Sequence, residues 1–313
     1  NRGRKAMGRR KKGQPISGWI NLDKPAGVGS TKAVSRVRKY FDAQKAGHAG
    51  TLDPLASGIL PIALGEATKV IPYIQDADKI YSFTVKWGEA TDTEDSEGEI
   101  IATSEERPSR EQIEGALPAF IGEITQIPPK YSAIKINGQR AYDLARAGED
   151  IKMKGRTVHI HDLVLLAERG QEAEFRVTCG KGTYVRALAR DLAEKLGTYG
   201  HITALRREAV GHFSLDSAIS LEILENMDHS AALEEILQPL QAPLDDIPAL
   251  PLKENEVVKL RNGQSLSFIS KGDFARLPQT SANDPVLATL NGAAVALVEI
   301  EGPSIYPFRV FNL

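Results

Sequence analysis

The sequence has one cysteine and no long apolar run, and each of these features excludes some classes of protein. Its one cysteine, Cys179, excludes an internal disulfide, so a reducing cytoplasm is the simplest compartment. No segment approaches the ~20 apolar residues that a membrane-spanning helix needs. The basic N-terminal residues are not followed by the apolar region of a signal peptide. These absences predict a soluble, cytoplasmic protein with no membrane partner.

Motifs for metals and nucleotide cofactors are missing as well. Residues 27–32 look like a phosphate-binding loop, but they lack the order GxxxxGK(S/T) and instead indicate a capped helix start. The acidic run at 92–98 places its glycine one position late for a calcium loop and lacks the closing glutamate. One cysteine cannot supply the cysteine pair of a zinc deaminase, and the six histidines show no HExxH spacing. The sequence therefore predicts neither a metal nor a cofactor.

Net charge is small, but the charges are segregated along the chain. The 313 residues carry a formal net charge of −2, which by itself argues against a nucleic-acid-binding protein. Residues 1–48, however, hold thirteen Lys or Arg against two acidic residues, and residues 208–246 hold nine acidic residues and no Lys or Arg. Such segregation allows one strongly basic face, to which a phosphate backbone responds. The alternative is ordinary solvated surface, and only position-specific motifs decide between the two.

The chain is predicted to form a basic arm followed by two folded units. Residues 1–15 are rich in Lys and Arg and nearly free of apolar side chains, which indicates a flexible arm. Residues 16–248 mix strands and helices without regular βαβ spacing, so we expect a mixed-sheet α/β (α+β) domain. After a proline-rich acidic stretch, residues 249–313 are β-rich and contain a hairpin whose two-residue turn is Asn291-Gly292.

Two patterns predict elements in the first third of the chain. A short strand at 18–23 is followed by a helix that Ser30 or Thr31 can cap and that runs to about Tyr40. Strict alternation over residues 81–87 predicts a strand with four large side chains on one face.

A second strand and helix are predicted later in the chain. Residues 175–179 alternate, and a glycine-rich turn then leads into a helix that starts near Thr183 and stops at Gly197. This helix leaves Arg186 off its apolar stripe. The stripe consists of Val185, Leu188, Leu192 and Leu196.

The most informative segment is GHAGTLDPLASG at residues 47–58. Its glycines permit a tightly turned backbone that a substrate can approach closely, and Pro54 fixes the turn beside Asp53. A single carboxylate in such a loop, with His48 five residues before it, suits a site that holds one nucleophile against a substrate. Composition alone favours a plainer interpretation, in which Asp53 caps a turn in a surface loop.

Seven motifs along the chain resemble, in the same order, those of the TruB-type tRNA pseudouridine synthases, the tRNA pseudouridine-55 family. The segment at 47–58 is similar to the nucleophile motif of that family. The others are LDKP at 22–25, KIY at 79–81 with TDTED at 91–95, YSAIK at 131–135, GQRAY at 138–142, CGKGTYVR at 179–186 and LRR at 205–207. The resemblance implies a pseudouridine synthase catalytic domain followed by a small PUA-like RNA-binding domain.

The resemblance also implies a reaction and its catalytic residues. The reaction is isomerisation of uridine to pseudouridine at position 55, in the TΨC loop of tRNA, with Asp53 as the catalytic carboxylate. A carboxylate can attack the ribose or the base, or remove a sugar proton, and the sequence leaves these routes open. By resemblance, Arg186 matches the arginine that pairs with the aspartate, and a guanidinium can hold a carboxylate through two hydrogen bonds. Tyr81 matches a tyrosine that stacks on the target base and is a candidate acceptor of the C5 proton.

The plain alternatives for two of these residues are a solvated helix arginine at Arg186 and a core strand tyrosine at Tyr81.

The target base must leave the RNA loop to reach the carboxylate, and His48 matches the histidine that takes up the vacated space. Tyr184 matches a second aromatic residue of the pocket, and Leu205 an apolar contact.

Further residues are expected to support the pocket or bind RNA. By resemblance Lys24 with Pro25 supports the nucleophile loop rather than reacts, and Asp95 lies near the pocket. Lys181 is expected to contact the RNA backbone. Backbone contacts are also expected from the basic N-terminal third and from Arg140, Lys152, Lys154 and Arg156. The predicted partner is the T stem-loop of tRNA, bound by a monomer without cofactor or metal.

Two other functions compete with this hypothesis. A synthase directed by guide RNA would predict a larger C-terminal region and partner proteins, and the short C-terminal tail argues against it. A non-catalytic RNA chaperone would have lost the chemistry, against which Asp53, Tyr81 and Arg186 all argue. Chaperone activity could coexist with catalysis.

Overall fold

The computed structural model describes residues 13–132, 153–228, 235–281 and 284–313, together with 134–136, 139–141, 144 and 147. Most of the predicted basic arm lies outside these residues, as does Lys152, and only the backbone is described at Arg140. The predictions made for them stay predictions.

The first part of the described chain forms one large mixed sheet and two small two-stranded sheets. Its strands are β1 (Gly18–Lys24), β2 (Ala46–His48), β3 (Ser57–Leu64), β4 (Lys79–Trp87), β5 (Glu89–Thr91), β6 (Ile100–Thr103), β7 (Gly122–Gln126), β8 (Lys135–Ile136), β9 (Gln139–Arg140), β10 (Arg156–Glu168), β11 (Glu172–Cys179), β12 (Gly200–Val210), β13 (Phe213–Ser214) and β14 (Ile219–Ser220). The large sheet has the order β14-β1-β3-β12-β4-β11-β10-β7, with β2 also paired to β3 and β13 to β12. Strand β1 runs parallel to β14, and β3 parallel to β12, so the predicted mixed sheet is confirmed.

The alternation predicted around Tyr81 is confirmed in β4, the strand between β11 and β12. Its buried face carries Tyr81, Phe83, Val85 and Trp87. Phe83 stacks on Phe175 of β11 with ring centroids 5.3 Å apart. These side chains belong to the main core of the large sheet.

The described residues form seven α-helices and four short 3₁₀-helices. The α-helices are α1 (Ser30–Tyr40), α2 (Ile71–Asp76), α3 (Arg110–Ala116), α4 (Val185–Lys195), α5 (Leu221–Asn226), α6 (Glu254–Arg261) and α7 (Lys271–Phe274). The 3₁₀-helices are Gly65–Lys69, Leu117–Phe120, Leu215–Ser217 and Ala242–Leu244.

Helix α1 ends at Tyr40 as predicted, but its predicted cap is wrong. Gly29 occupies the N-cap position, and no side chain accepts a hydrogen bond there. The Ser30 hydroxyl instead bonds both backbone groups of Leu52, accepting from its N–H and donating to its carbonyl oxygen. Thr31 is exposed on the first turn. The reason is tertiary, because Ser30 faces a neighbouring loop rather than the end of its own helix.

Helix α4 begins two residues later than predicted and ends as predicted. Tyr184 occupies its N-cap in an extended conformation, so the first helical residue is Val185. Gly197 follows the last turn with φ of 75°, a conformation that glycine adopts without steric cost. Glycine therefore stops this helix.

The last part of the chain forms a separate five-stranded sheet. Its strands are β15 (Ala249–Pro251), β16 (Leu266–Ser267), β17 (Val286–Leu290), β18 (Ala293–Glu301) and β19 (Ser304–Val310), in the order β15-β17-β18-β19-β16. Asn291 and Gly292 between β17 and β18 have φ of 51° and 81°, as a two-residue hairpin turn requires. The predicted hairpin is confirmed.

The two large sheets share a hydrophobic cluster, and we call it the shared cluster. Trp19, Ala49 and Phe213 come from the first sheet and its loops. Leu297 comes from the second sheet, and Phe311 directly follows its strand β19. The indole N–H of Trp19 donates to the carbonyl oxygen of Leu240, 3.0 Å away. The second sheet is thus packed against the first rather than attached through a linker alone.

No helix in the described residues is long and apolar enough to cross a membrane.

Candidate active site

One cavity gathers side chains that lie far apart in the chain. Its volume is about 290 Å³, and its walls come from β4, β12, the start of α4 and the loop of residues 49–56, here called the Asp53 loop. The sequence-predicted residues that line it are Asp53, Tyr81, Tyr184, Arg186 and Leu205. The other lining residues are Thr51, Leu52, Ser132, Arg156, Gly182, Thr183 and Val185.

The Asp53 loop is held on both sides of its carboxylate. Before Asp53, the Ser30 hydroxyl lies 2.7 Å from the carbonyl oxygen of Leu52 and 2.8 Å from its nitrogen. After Asp53, the N–H of Gly27 donates to the carbonyl oxygen of Pro54 at 2.7 Å. The side chain of Asp53 is 39% exposed. The backbone is therefore fixed while the carboxylate stays accessible.

Arg207 holds the first half of the same loop from below. It lies on β12, is 1% exposed, and donates to the carbonyl oxygens of Ile59 at 2.7 Å, Gly50 at 3.1 Å and Thr51 at 3.4 Å. A buried charge is stable only where such partners replace water. Arg207 therefore both satisfies the backbone of the loop and brings a positive charge beneath the cavity.

Glycine is required where β3 passes β12. Gly58 has φ of 103°, and a Cβ atom placed on it would lie 2.1 Å from the carbonyl oxygen of Arg207. Any larger residue would force the two strands apart. The glycine at the end of the sequence motif thus serves strand packing.

Lys24 supports the turn that faces the Asp53 loop. It is fully buried, and its Nζ donates to the carbonyl oxygens of Pro25 at 2.9 Å and Val28 at 2.6 Å. Burial lowers the pKa of Lys24 to about 8, and the Asp53 carboxylate opposes this shift. Pro25 itself is exposed. These contacts agree with a supporting role for Lys24.

Arg186 lies off the apolar stripe of α4, as predicted, yet it is only 5% exposed. A solvated helix arginine is therefore wrong. Its Nη2 lies 3.0 Å from Oδ2 of Asp53 and donates to the carbonyl oxygen of Tyr131 at 2.9 Å. Its Nη1 donates to the carbonyl oxygen of Thr93 at 2.8 Å and lies 3.5 Å from Oδ2 of Asp95.

These contacts correct the expected two-bond grip on Asp53. One nitrogen of Arg186 contacts the Asp53 carboxylate, and the other is directed to Thr93 and Asp95. Asp95 is 3% exposed and lies behind the guanidinium rather than in the cavity lining. Asp95 therefore neutralises and orients Arg186 from the side opposite Asp53.

Tyr81 lies directly across from Arg207 in the pairing of β4 with β12. Its side chain is 9% exposed, and burial raises the pKa of the phenol, although the charge of Arg207 and a hydrogen bond from it act in the opposite direction. The phenol is therefore protonated at neutral pH. A neutral ring suits stacking better than proton abstraction.

Tyr184 is held by two neighbours on the other side of the cavity. The Gln126 side-chain amide bonds both backbone groups of Tyr184, accepting from its nitrogen at 3.0 Å and donating to its oxygen at 3.2 Å. The Arg156 guanidinium carbon lies 4.7 Å from the centroid of the Tyr184 ring. The ring is thus placed by an amide clamp and a cation–π contact.

His48 and Lys181, like Lys24, Pro25 and Asp95, lie outside the cavity lining. His48, the last residue of β2, is half-buried, and its Nδ1 has no partner among the described residues. Burial lowers the pKa of His48, and the charge of Arg207 adds to this, so the imidazole is neutral at pH 7. Lys181 is exposed and pairs with Asp76 at 2.8 Å, next to the lining residue Gly182.

Sequence reasoning gave no individual role to Arg207, Gln126 or Ser132. Ser132 lines the cavity, is 4% exposed, and its hydroxyl has no partner in the described part of the chain. The spacing of Arg207 two residues after Leu205 was a usable signal, because alternate strand residues share a face. Neither Gln126 nor Ser132 had such a signal. No group of three or more His, Cys, Asp or Glu side chains among the described residues could hold a metal ion.

Two family models match the chain. Residues 38–185 match the TruB family pseudouridylate synthase (N terminal domain), and residues 186–245 match the tRNA pseudouridylate synthase B C-terminal domain. The tRNA pseudouridine synthase B of Caulobacter vibrioides is 52% identical to this chain, over 98% of this chain and 100% of the relative. That of Rhodospirillum rubrum is 49% identical, over 98% of this chain and 100% of the relative.

A solved structure extends the similarity to the fold. The crystal structure of a Cbf5-Nop10-Gar1 complex contains a chain with a TM-score of 0.72 and 26% identity, covering 94% of this chain and 85% of that chain. The fold and these matches define a pseudouridine synthase. The chain belongs to the TruB family of tRNA pseudouridine synthases, and it is therefore an isomerase that converts uridine to pseudouridine.

Proposed function

We propose that this enzyme acts on tRNA at position 55, in the TΨC loop, with Asp53 as the reacting carboxylate. One observation carries the proposal: Nη2 of the buried Arg186 lies 3.0 Å from Oδ2 of Asp53 inside the cavity. The arginine is shielded from water, whereas the carboxylate is 39% exposed, so a substrate can approach from its open side. The names of the relatives support tRNA as the substrate, and the motif resemblance supports the T stem-loop.

The proposed chemistry needs only a held, ionised carboxylate. The N1–C1′ bond of uridine breaks, the uracil rotates, and a C5–C1′ bond forms. C5 loses its proton and N1 gains one, so substrate and product are isomers and no electrons are transferred. Asp53 can promote the first step by attacking the ribose or the base, or by removing a sugar proton. Each route needs its negative charge, which Arg186 stabilises at 3.0 Å.

We propose that the target uridine flips out of the RNA loop into the cavity. Extrusion of a base costs a few kcal/mol of lost stacking and pairing. The cavity offers Tyr81 and Leu205 as faces for the base and Tyr184 as a second ring. His48 would occupy the vacated position in the RNA. Because its imidazole is neutral, it would act through shape and polarity.

The RNA around the flipped base would be bound by basic side chains and by the second sheet. Lys181 is exposed beside the cavity, and Arg156 forms part of its lining. The five-stranded sheet of residues 249–310 is proposed to act as a PUA-like module on the acceptor side of the tRNA. We propose that the enzyme acts as a monomer in the cytoplasm.

Mapping modified uridines in tRNA from cells that lack the protein tests substrate and position together. We expect pseudouridine at position 55 to disappear and to return when the protein is expressed again. A T stem-loop transcript should also be converted by the purified protein, and a transcript with cytidine at position 55 should not. Normal modification at position 55 in the deficient cells, or conversion at another uridine, would contradict the proposal.

Replacing Tyr81 by leucine should reduce turnover far more than RNA affinity. The ring would be lost from the cavity wall, but the RNA-binding surface outside the cavity would stay intact. We expect kcat to fall by a factor on the order of 100, because a base that has lost this ring is no longer positioned for reaction. Single-turnover rates and filter binding measure the two quantities, and Tyr81→Phe tests the hydroxyl alone. If only affinity changed in Tyr81→Leu, Tyr81 would be a stacking residue and nothing more.

A further inference from the structure

A second arginine on α4 repeats the contacts of Arg186 one helical turn later. Arg186 donates to the carbonyl oxygens of Thr93 and Tyr131. Arg190 donates to the Glu94 carboxylate and, at 2.9 Å, to the carbonyl oxygen of Ile127. Both arginines thus connect α4 to the same two segments, 91–98 and 126–132. Arg190 also pairs with Asp191 at 2.7 Å, but it does not line the cavity.

Glu94 combines an unusual backbone conformation with a mostly buried side chain. Its φ is 64°, a left-handed value that residues other than glycine and asparagine rarely adopt without support from their surroundings. Its side chain is only 15% exposed, and its Oε2 has no partner within the described residues. Burial raises the pKa of Glu94, and the charge of Arg190 opposes the shift. The ion pair with Arg190 therefore compensates the burial of this carboxylate, which directly follows Thr93 in the chain.

The local backbone transmits this arrangement to the site. Thr93 precedes Glu94 directly, so the carbonyl that receives Nη1 of Arg186 belongs to the peptide bond leading into Glu94. The carbonyl of Glu94 in turn accepts a hydrogen bond from the N–H of Ile202 on β12, 3.1 Å away. A shift of Glu94 would therefore move the carbonyl that orients Arg186.

We propose that Arg190 and Glu94 form a positioning pair that sets the Thr93 carbonyl, which receives Nη1 of Arg186, and thereby the contact of Arg186 with Asp53. The pair does not touch the substrate and acts through Arg186. The proposal rests on the proposed function in one respect, since it takes Asp53 as the reacting carboxylate.

Two variants that are expected to fold test the pair. Glu94→Gly removes the carboxylate and relieves the backbone strain at φ of 64°, so the chain should fold at least as readily. Arg190→Ala removes the other partner. In both variants we expect kcat on a T stem-loop transcript to fall by roughly 10- to 100-fold, because small displacements of a catalytic group are costly, with KM changed less than about threefold.

The double variant and a matched control complete the experiment. Glu94→Gly with Arg190→Ala should lose little more than either single variant, because residues that act as a pair are not additive. Arg110→Ala removes an ion pair with Glu114 on the surface of α3 and should leave kcat unchanged. Arg190→Lys should recover part of the loss, since lysine keeps one charged contact.

The kinetic results that would overturn the positioning role of Arg190 and Glu94 differ from those that would overturn the proposed role of Asp53. Folded Glu94→Gly and Arg190→Ala variants with kcat within twofold of the parent would overturn the positioning role, as would a change in KM alone. If Asp53→Asn is inactive while these variants are fully active, only the pair is refuted. If Asp53→Asn is itself active, the proposed role of the carboxylate fails.

Discussion

Asp53→Asn is expected to abolish pseudouridine formation in a T stem-loop transcript and to leave RNA affinity within a few-fold of the parent. The amide has the size of the carboxylate but lacks its negative charge, so it can neither attack the substrate nor attract Arg186 across 3.0 Å. The side chain is 39% exposed and the backbone of the loop is held by Ser30, Gly27 and Arg207, so the fold should persist.

Single-turnover conversion and filter binding on the same RNA measure the two effects separately. We expect a rate reduction on the order of 10⁴-fold, the upper end of what one positioned general acid or base contributes. Asp162→Asn makes the same chemical change on an exposed position of β10 and should be fully active. Full activity in Asp53→Asn would refute the mechanism.

Arg207→Met should have the second-largest effect, on stability and turnover together. Methionine fills much of the space but leaves the carbonyl oxygens of Gly50, Thr51 and Ile59 without their buried donor. An unsatisfied buried polar group costs about 1–3 kcal/mol. We therefore expect the free energy of unfolding to fall by roughly 3 kcal/mol, allowing for partial relaxation. Because the Asp53 loop loses its anchor, kcat should fall on the order of 100-fold.

The neighbouring residue provides a matched control. Arg206 lies on the opposite face of β12 and pairs with Asp23 at 2.8 Å, with both side chains 30% or more exposed. Exposed ion pairs contribute about 0–1 kcal/mol, so Arg206→Met should be nearly neutral in urea denaturation. If both variants lost the same free energy of unfolding, Arg207 would contribute only as a positive charge on β12, and its hydrogen bonds to the loop would add nothing.

Strands and turns with strong local patterns were predictable from the sequence. The alternation around Tyr81 and the Asn291-Gly292 turn are both local, and the structure has both. The predicted cap of α1 was wrong because the Ser30 hydroxyl bonds to Leu52 rather than to its own helix. That partner is distant in sequence, and capping rules consider only neighbouring residues.

The site was predictable to the extent that family motifs name single residues. Asp53 and Arg186 come together in the cavity although helix periodicity alone placed Arg186 off the core. The supports were not predictable. Gln126 lies in an ordinary short strand, and only the folded chain brings its amide to the backbone of Tyr184. Its function is set by long-range packing, of which a single sequence carries no local sign.

The shared cluster has a consequence for how the protein is made. Trp19 and Ala49 are synthesised long before Leu297 and Phe311, which belong to the cluster that buries them. Until those residues leave the ribosome, apolar side chains beside the Asp53 loop have no complete cover. Contacts this distant in sequence form slowly, because a long loop must close first. The cluster that contains Ala49 of the Asp53 loop is therefore completed only after residues 297–311 are synthesised, whereas the hydrogen bonds of Ser30 and Arg207 to that loop need only earlier residues.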